Sequence, residues 1–176
     1  SLRAIPNLTV FRPADANESA AAWRTTMTLD GPVALIFTRQ NQPILSDVEH
    51  VHSGVAHGGY TLADSEGTPD VILIASGSEV HIAHDAYKHL RDDGIKARVV
   101  SIPSWELFDE QDVVYKESVL PASVTARVSI ESGVTLGWQK YTGLQGINIG
   151  VDRFGASAPY EKIYEEFGLT AEKVVE

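Results

Sequence analysis

The chain has 176 residues, 43% hydrophobic and 22% charged, with a formal charge of −10, enough for one large domain or for a domain with part of another. The acidic balance leaves no basic patch of the kind that neutralises nucleic-acid phosphates or anionic lipid headgroups, so neither nucleic acid nor a membrane surface is an expected partner. Absence of cysteine excludes disulfides, thiolate nucleophiles and thiolate metal sites, which is compatible with a reducing cytoplasm, and no apolar run is long enough to span a bilayer.

The start, Ser1-Leu-Arg-Ala-Ile-Pro-Asn7, has no basic-then-apolar leader and enters structure at once, which reads as a cut inside a longer protein. Leu8 to Phe11 reads as a strand, Arg12-Pro13 as a turn and Asp15 as the start of a helix; Asp15 and Glu18 have capping-box-like spacing. Ala16, Ala20, Trp23 and Met27 fall at i, i+4, i+7 and i+11 and predict one buried helical face, which Asp30-Gly31-Pro32 ends. A strand from Val33 to Phe37 completes a β-α-β unit. Two strands and a helix bury too little to stand alone, so this unit is expected to dock on something absent from the chain.

Between Gln40 and about Asp70 the periodicity fades, and the segment reads as a linker with one short strand around Tyr60. A regular pattern follows: strand Val71 to Ala75, helix Ser78 to about Asp93, strand Ala97 to Ile102, a short helix after Asp109 and strand Ala126 to Ile130. It continues with a helical stretch around Trp138, strand Ile147 to Val151, and helices from Pro159 and Thr170. The expected fold class is α/β: a three-layer domain over 70–176 with a mostly parallel (mixed) sheet, preceded by a β-α-β remnant of a second α/β domain over 1–41 and a connecting segment over 42–69.

The strand at Val33 ends abruptly in Thr38-Arg39-Gln40-Asn41. Ligands of open α/β sheets collect beyond the carboxyl ends of the strands, and a guanidinium there matches phosphate or carboxylate with a planar fork of donors. Arg39 reads as an ion-pair member or an anion site; the two neighbouring amides and the lack of a nearby acid favour the anion. The turn Ala75-Ser-Gly-Ser-Glu-Val80 opens a helix whose N-terminus can receive an anion, but it matches neither the dinucleotide nor the P-loop fingerprint. Ser76 with Glu79, or Ser78 alone, reads there as a helix cap. His50, His52 and His57, and His81 with His84, form no complete ligand set. Glu131 follows a buried strand where a general base can sit, but the favoured reading is a cap or a partner for an arginine at an interface. No Gly-x-Ser-x-Gly elbow supports a serine hydrolase.

Read together, several segments resemble the C-terminal quarter of a transketolase. They include Pro6-Asn-Leu-Thr-Val-Phe-Arg-Pro-Ala-Asp15, Arg39-Gln-Asn41, Gly58-Gly-Tyr60, Gly77-Ser-Glu-Val80 and Ala97-Arg-Val-Val-Ser-Ile-Pro-Ser104, and then Phe108-Asp-Glu-Gln111, Val119-Leu-Pro121 and Thr125-Ala-Arg127. Glu131-Ser-Gly133, Phe154-Gly-Ala-Ser-Ala-Pro159 and Glu165-Glu-Phe-Gly168 complete the set. The resemblance spans essentially the whole chain. It implies a thiamine-diphosphate-dependent homodimer, with Mg²⁺ or Ca²⁺, that moves a two-carbon ketol unit from a ketose phosphate to an aldose phosphate in the pentose phosphate pathway of the cytoplasm. By that resemblance residues 1–41 end a pyrimidine-binding domain, 70–176 form the C-terminal domain, and Arg39 is the substrate-phosphate arginine.

The family's Gly-Asp-Gly metal and diphosphate motif, its aminopyrimidine-activating glutamate and its catalytic histidines have no match here, so no catalytic, cofactor-binding or metal residue is assigned. The chain is expected to bind no cofactor and to be inactive alone, its partner being the rest of a transketolase chain. The alternative is a non-catalytic regulatory module that binds a nucleotide or another anion at the Gly77 turn.

Overall fold

The computed structural model describes residues 2–176. One turn of 3-10 helix at Leu2–Ala4 leads into β1 (Thr9–Phe11), α1 (Ala16–Thr26) and β2 (Val33–Leu35), and β1 and β2 pair in parallel with Val10 opposite Ala34. Asp15 caps α1 by accepting the Glu18 N–H at 2.9 Å, as the spacing predicts. The buried side of α1 is Glu18, Ala21 and Ala22, whereas Trp23 and Met27 of the predicted face are 55% and 80% exposed. The cause is the neighbour that α1 receives. Its two small alanines let a second helix approach, and the Trp23 side is left uncovered, with Trp23 stacked on Phe37 at 6.5 Å between ring centroids. The strand β2 also stops two residues short of Phe37.

That second helix is α2 (Val48–Ala56), capped by Asp47, within the segment expected to be a linker. Its apolar residues are interleaved with histidines, Ser53 and Gly54, so the helical period is weak. Burial of Val51 and Val55 against Phe11, Ala21, Tyr60 and Leu107 fixes it nonetheless. The chain then turns through Gly58, at φ +80°, where a Cβ would meet the Phe108 nitrogen at 2.3 Å and the Ser104 carbonyl at 2.5 Å; only glycine fits this turn. The predicted strand near Tyr60 is β3 (Tyr60–Asp64).

The larger sheet has the order β3-β5-β4-β6-β7, built from β4 (Val71–Ala75), β5 (Ala97–Ser101), β6 (Arg127–Ile130) and β7 (Ile147–Ile149) in parallel, with β3 antiparallel on the edge beside β5. It is therefore mixed, as expected. One face is covered by α3 (Val80–Asp92) through Val80, Ala83, Ala86 and Leu90, with α8 (Ala171–Val175) and α7 (Tyr160–Glu166) beyond it. The other face packs Ile72, Ile74 and Val100 against Trp105 and Phe108 of α4 (Trp105–Glu110), Val119 of α5 (Val113–Val119) and Tyr141 of α6 (Gln139–Thr142). The short helix expected after Asp109 is α5, and α4, which begins before Asp109, is a further helix. The chain leaves central β4 for β5 on one side and returns to β6 on the other, so the strand order reverses at the carboxyl ends of β4 and β6. In such sheets this is the ligand crevice.

Candidate functional site

The carboxyl ends of β2, β4 and β6 open on one cleft of ≈ 330 Å³, whose walls include Arg12, Thr38 and Arg39 from the first unit and Ser78, Ser132 and Tyr160 from the second. The cleft's loop is held locally, with the Gln40 N–H donating to the Thr38 hydroxyl at 3.1 Å and that hydroxyl donating to the Gln40 side chain. Arg39 is exposed and enters none of the ion pairs among the described residues. Gln40 and Asn41 also line an adjoining cleft of ≈ 470 Å³ at the start of α1. A guanidinium with no acidic partner among the described residues, on a cleft that also carries the hydroxyls of Thr38, Ser78, Ser132 and Tyr160 and the amide of Gln40, is chemically suited to an oxyanion.

Behind the cleft lies a buried ion cluster. Arg12, directly after β1, donates from Nη1 to Glu131 at 2.6 Å and from Nη2 to Glu79 at 3.2 Å. Arg3 donates to the other Glu131 oxygen at 2.8 Å and to the Ser76 hydroxyl at 3.3 Å. Its guanidinium carbon lies 4.0 Å from the ring centroid of Trp105. The Trp138 indole N–H also donates to Glu131, at 2.9 Å. Burial works against charge on Arg12, but Glu79 and Glu131 outweigh it and raise its pKa. Burial likewise pushes Glu131 up, yet Arg3 and Arg12 hold it below the usual carboxylate range. Glu131 is therefore an interface partner of arginines: both of its oxygens are engaged, and its lowered pKa makes it a poor proton acceptor, which speaks against a general base.

Glu79 stands at the N-cap position of α3, but its side chain makes no cap bond. It is fully buried and accepts from Arg12, from the Ser132 N–H at 2.8 Å and from the hydroxyls of Ser78 and Tyr164 at 2.7 and 2.6 Å. Ser76 precedes the turn Gly77–Glu79 without a side-chain cap bond. Nor does this turn favour a nucleotide, because the Gly77 N–H donates to the Arg12 carbonyl at 2.8 Å. Among the described residues no group of three or more His, Asp or Glu side chains converges as a metal site. His50 bonds the Thr61 carbonyl and His57 stacks on Tyr115.

Sequence reasoning missed Glu18 as a hub. Its carboxylate accepts from the Ala14 N–H at 2.7 Å, the Ser101 hydroxyl at 2.6 Å and the Tyr60 hydroxyl at 2.9 Å, bridging α1 to the edge of the larger sheet. No cation takes part, and burial raises its pKa to about 7. The face predicted from Ala16, Ala20, Trp23 and Met27 places Glu18 on the outer side of α1, so the local pattern gives no sign of its burial.

This architecture is a pair of α/β units, each with parallel strands, joined end to end at their strand termini through a shared arginine-glutamate cluster. Residues 58–170 match the transketolase-like C-terminal domain and residues 1–44 the transketolase pyrimidine-binding domain. The chain belongs to the transketolase family. It is 53% identical to a transketolase of Halalkalibacterium halodurans and 50% identical to transketolase 1 of Escherichia coli, each over 99% of this chain but only 27% and 26% of the relative. A solved transketolase from Leishmania mexicana superposes with a TM-score of 0.88 at 43% identity, covering 99% of this chain and 25% of that one. A structure described as a split gene transketolase, inactive beta4 tetramer, superposes at 0.80 with 26% identity, covering 99% of this chain and 57% of that one. The chain thus spans about a quarter of the length of the curated relatives it matches.

Proposed function

We propose that this chain serves a transketolase that transfers a two-carbon ketol unit between a ketose phosphate and an aldose phosphate with thiamine diphosphate, and that Arg39 holds the substrate phosphate. The observation that carries this reading is the exposed Arg39 guanidinium at the carboxyl end of β2, in no ion pair among the described residues, on a cleft that has no acidic residue in its lining and also carries Arg12 and the hydroxyls of Thr38, Ser78, Ser132 and Tyr160. A phosphate gripped by a charged fork far from the reacting carbon orients the sugar and supplies binding energy to the chemistry.

Cofactor, metal and catalytic histidines would come from the rest of the enzyme, and the chain alone would be inactive. The inactivity stated for the split-gene tetramer supports this. The uncovered apolar surface of Trp23, Met27 and Phe37 fits packing against the remainder of a pyrimidine-binding domain. The division 1–41, 42–69 and 70–176 is retained as our reading, supported by the two separate sheets; pairing of β3 with β5 draws residues 60–64 toward the larger unit. Homodimer formation and a cytoplasmic location belong to the same proposal. No helix among the described residues is long and apolar enough to cross a membrane, and a potato relative at 53% identity is named chloroplastic.

The test is Arg39→Ala in the complete enzyme. Loss of one charge-assisted bidentate contact should raise KM for phosphorylated sugars about 10- to 100-fold with little change for unphosphorylated acceptors. Unchanged kinetics would remove Arg39 from the site.

A further inference from the structure

We propose that the crevice between the carboxyl ends of β4 and β6 is a guanidinium-binding site, filled in this chain by its own Arg12 with Arg3 beside it. The position where a doubly wound sheet ordinarily takes a diffusible ligand receives instead two side chains of the first unit.

The charge balance of the crevice points to this. Its floor is Glu79 and Glu131, 0% and 3% exposed, and every other partner of these carboxylates from the larger unit is neutral: the Ser132 N–H, the Ser78 and Tyr164 hydroxyls and the Trp138 indole N–H. The larger unit therefore brings two buried carboxylates and no cation, and the desolvation cost of such a pair is offset only when cations enter. Both cations come from residues 3 and 12, lying 128 and 119 positions from Glu131.

The geometry suits a guanidinium. The two Nη atoms of Arg12 reach two different acids, at 2.6 and 3.2 Å, through separate donors held in one rigid plane. Gly77, at φ +69°, leaves its α-carbon bare beside this fork; a Cβ there would sit 3.0 Å from Arg12 Nη2. The second guanidinium is plated by an aromatic face, with Arg3 over Trp105 at 4.0 Å. The main chain seats the occupant further, as the Arg12 N–H donates to the Pro103 carbonyl at 2.8 Å and the Arg12 carbonyl accepts from Gly77.

Chemical rescue tests the assignment on the 176-residue chain. Arg12→Ala strips the fork from the site and should lower the thermal midpoint by about 10 °C. Guanidinium or methylguanidinium chloride, titrated to about 50 mM, well below denaturing concentrations, should restore at least half of that loss and saturate. Equal concentrations of sodium chloride and urea should not. Adding Glu131→Gln to Arg12→Ala should abolish the recovery. Absence of rescue, or equal rescue by sodium chloride, overturns the proposal. If Arg12→Ala does not fold even with guanidinium present, Arg3→Ala goes through the same series, and guanidinium-specific rescue supports the site whereas its absence overturns it.

Discussion

Arg12 Nη1 and Glu131 Oε1 meet at 2.6 Å although 119 residues separate them, and this contact joins the end of the small sheet to the switch point of the large one. With Arg3 and Glu79 it makes a buried group of two cations and two anions whose net charge is zero. Removing one member leaves an uncompensated buried charge, which costs more than the intact pair contributes.

Glu131→Ala should therefore destabilise the chain by about 3–5 kcal/mol, measured by urea unfolding at pH 7. Because Glu131 titrates below its ordinary value of 4.5, its contribution is fully present above that pH and is lost as pH falls through the lower folded value. The difference between the wild type and Glu131→Ala should shrink on acidification below pH 4.5, and a difference that stays constant down to pH 2 would contradict the ionised assignment.

Glu18 has the opposite sign. Its pKa rises from 4.5 to about 7 on folding, so the unfolded chain gives up this proton at lower pH than the folded chain. The Glu18 contribution to stability falls as pH rises from about 4.5 to about 7 and is constant on either side. The neutral isostere Glu18→Gln can accept the Ala14 N–H and donate to a rotated Ser101 or Tyr60 hydroxyl. Relative to this variant, the wild type should lose about 3 kcal/mol across that window, read from parallel urea titrations; parallel pH profiles would refute a raised Glu18.

Arg39 should matter little to this chain's own stability. It is exposed and unpaired, so Arg39→Ala should change the unfolding free energy by less than about 0.5 kcal/mol. A loss of 2 kcal/mol or more would reveal a structural partner and weaken the phosphate reading.

Gly58→Ala should be among the most damaging small substitutions. The positive φ strains an L-residue, and the new methyl meets backbone atoms of α4 and its cap at 2.3 and 2.5 Å, which cannot swing aside. An expected loss of more than about 2 kcal/mol is measurable by thermal unfolding, whereas Gly94→Ala, with nothing within 4 Å, should cost about 1 kcal/mol from its φ alone.

Local periodicity carried most of the fold. Runs such as Val71 to Ala75 and Ala97 to Ser101 state their own buried strands, Asp15 states its cap, and Ala83, Ala86 and Leu90 state the inner face of α3, because each pattern repeats within a few residues. The order of segments from Pro6 to Gly168 likewise sufficed for the family, and the abrupt end of the β2 strand pattern singled out Arg39. Tertiary structure alone decided which polar groups lie inside. Trp23 and Met27 stay uncovered while Glu18 is buried, since burial depends on which element arrives, here α2 and the edge of the larger sheet. Glu79 and Glu131 likewise receive arginines from the far end of the chain, since charge pairing depends on distance in space and leaves no period in the sequence.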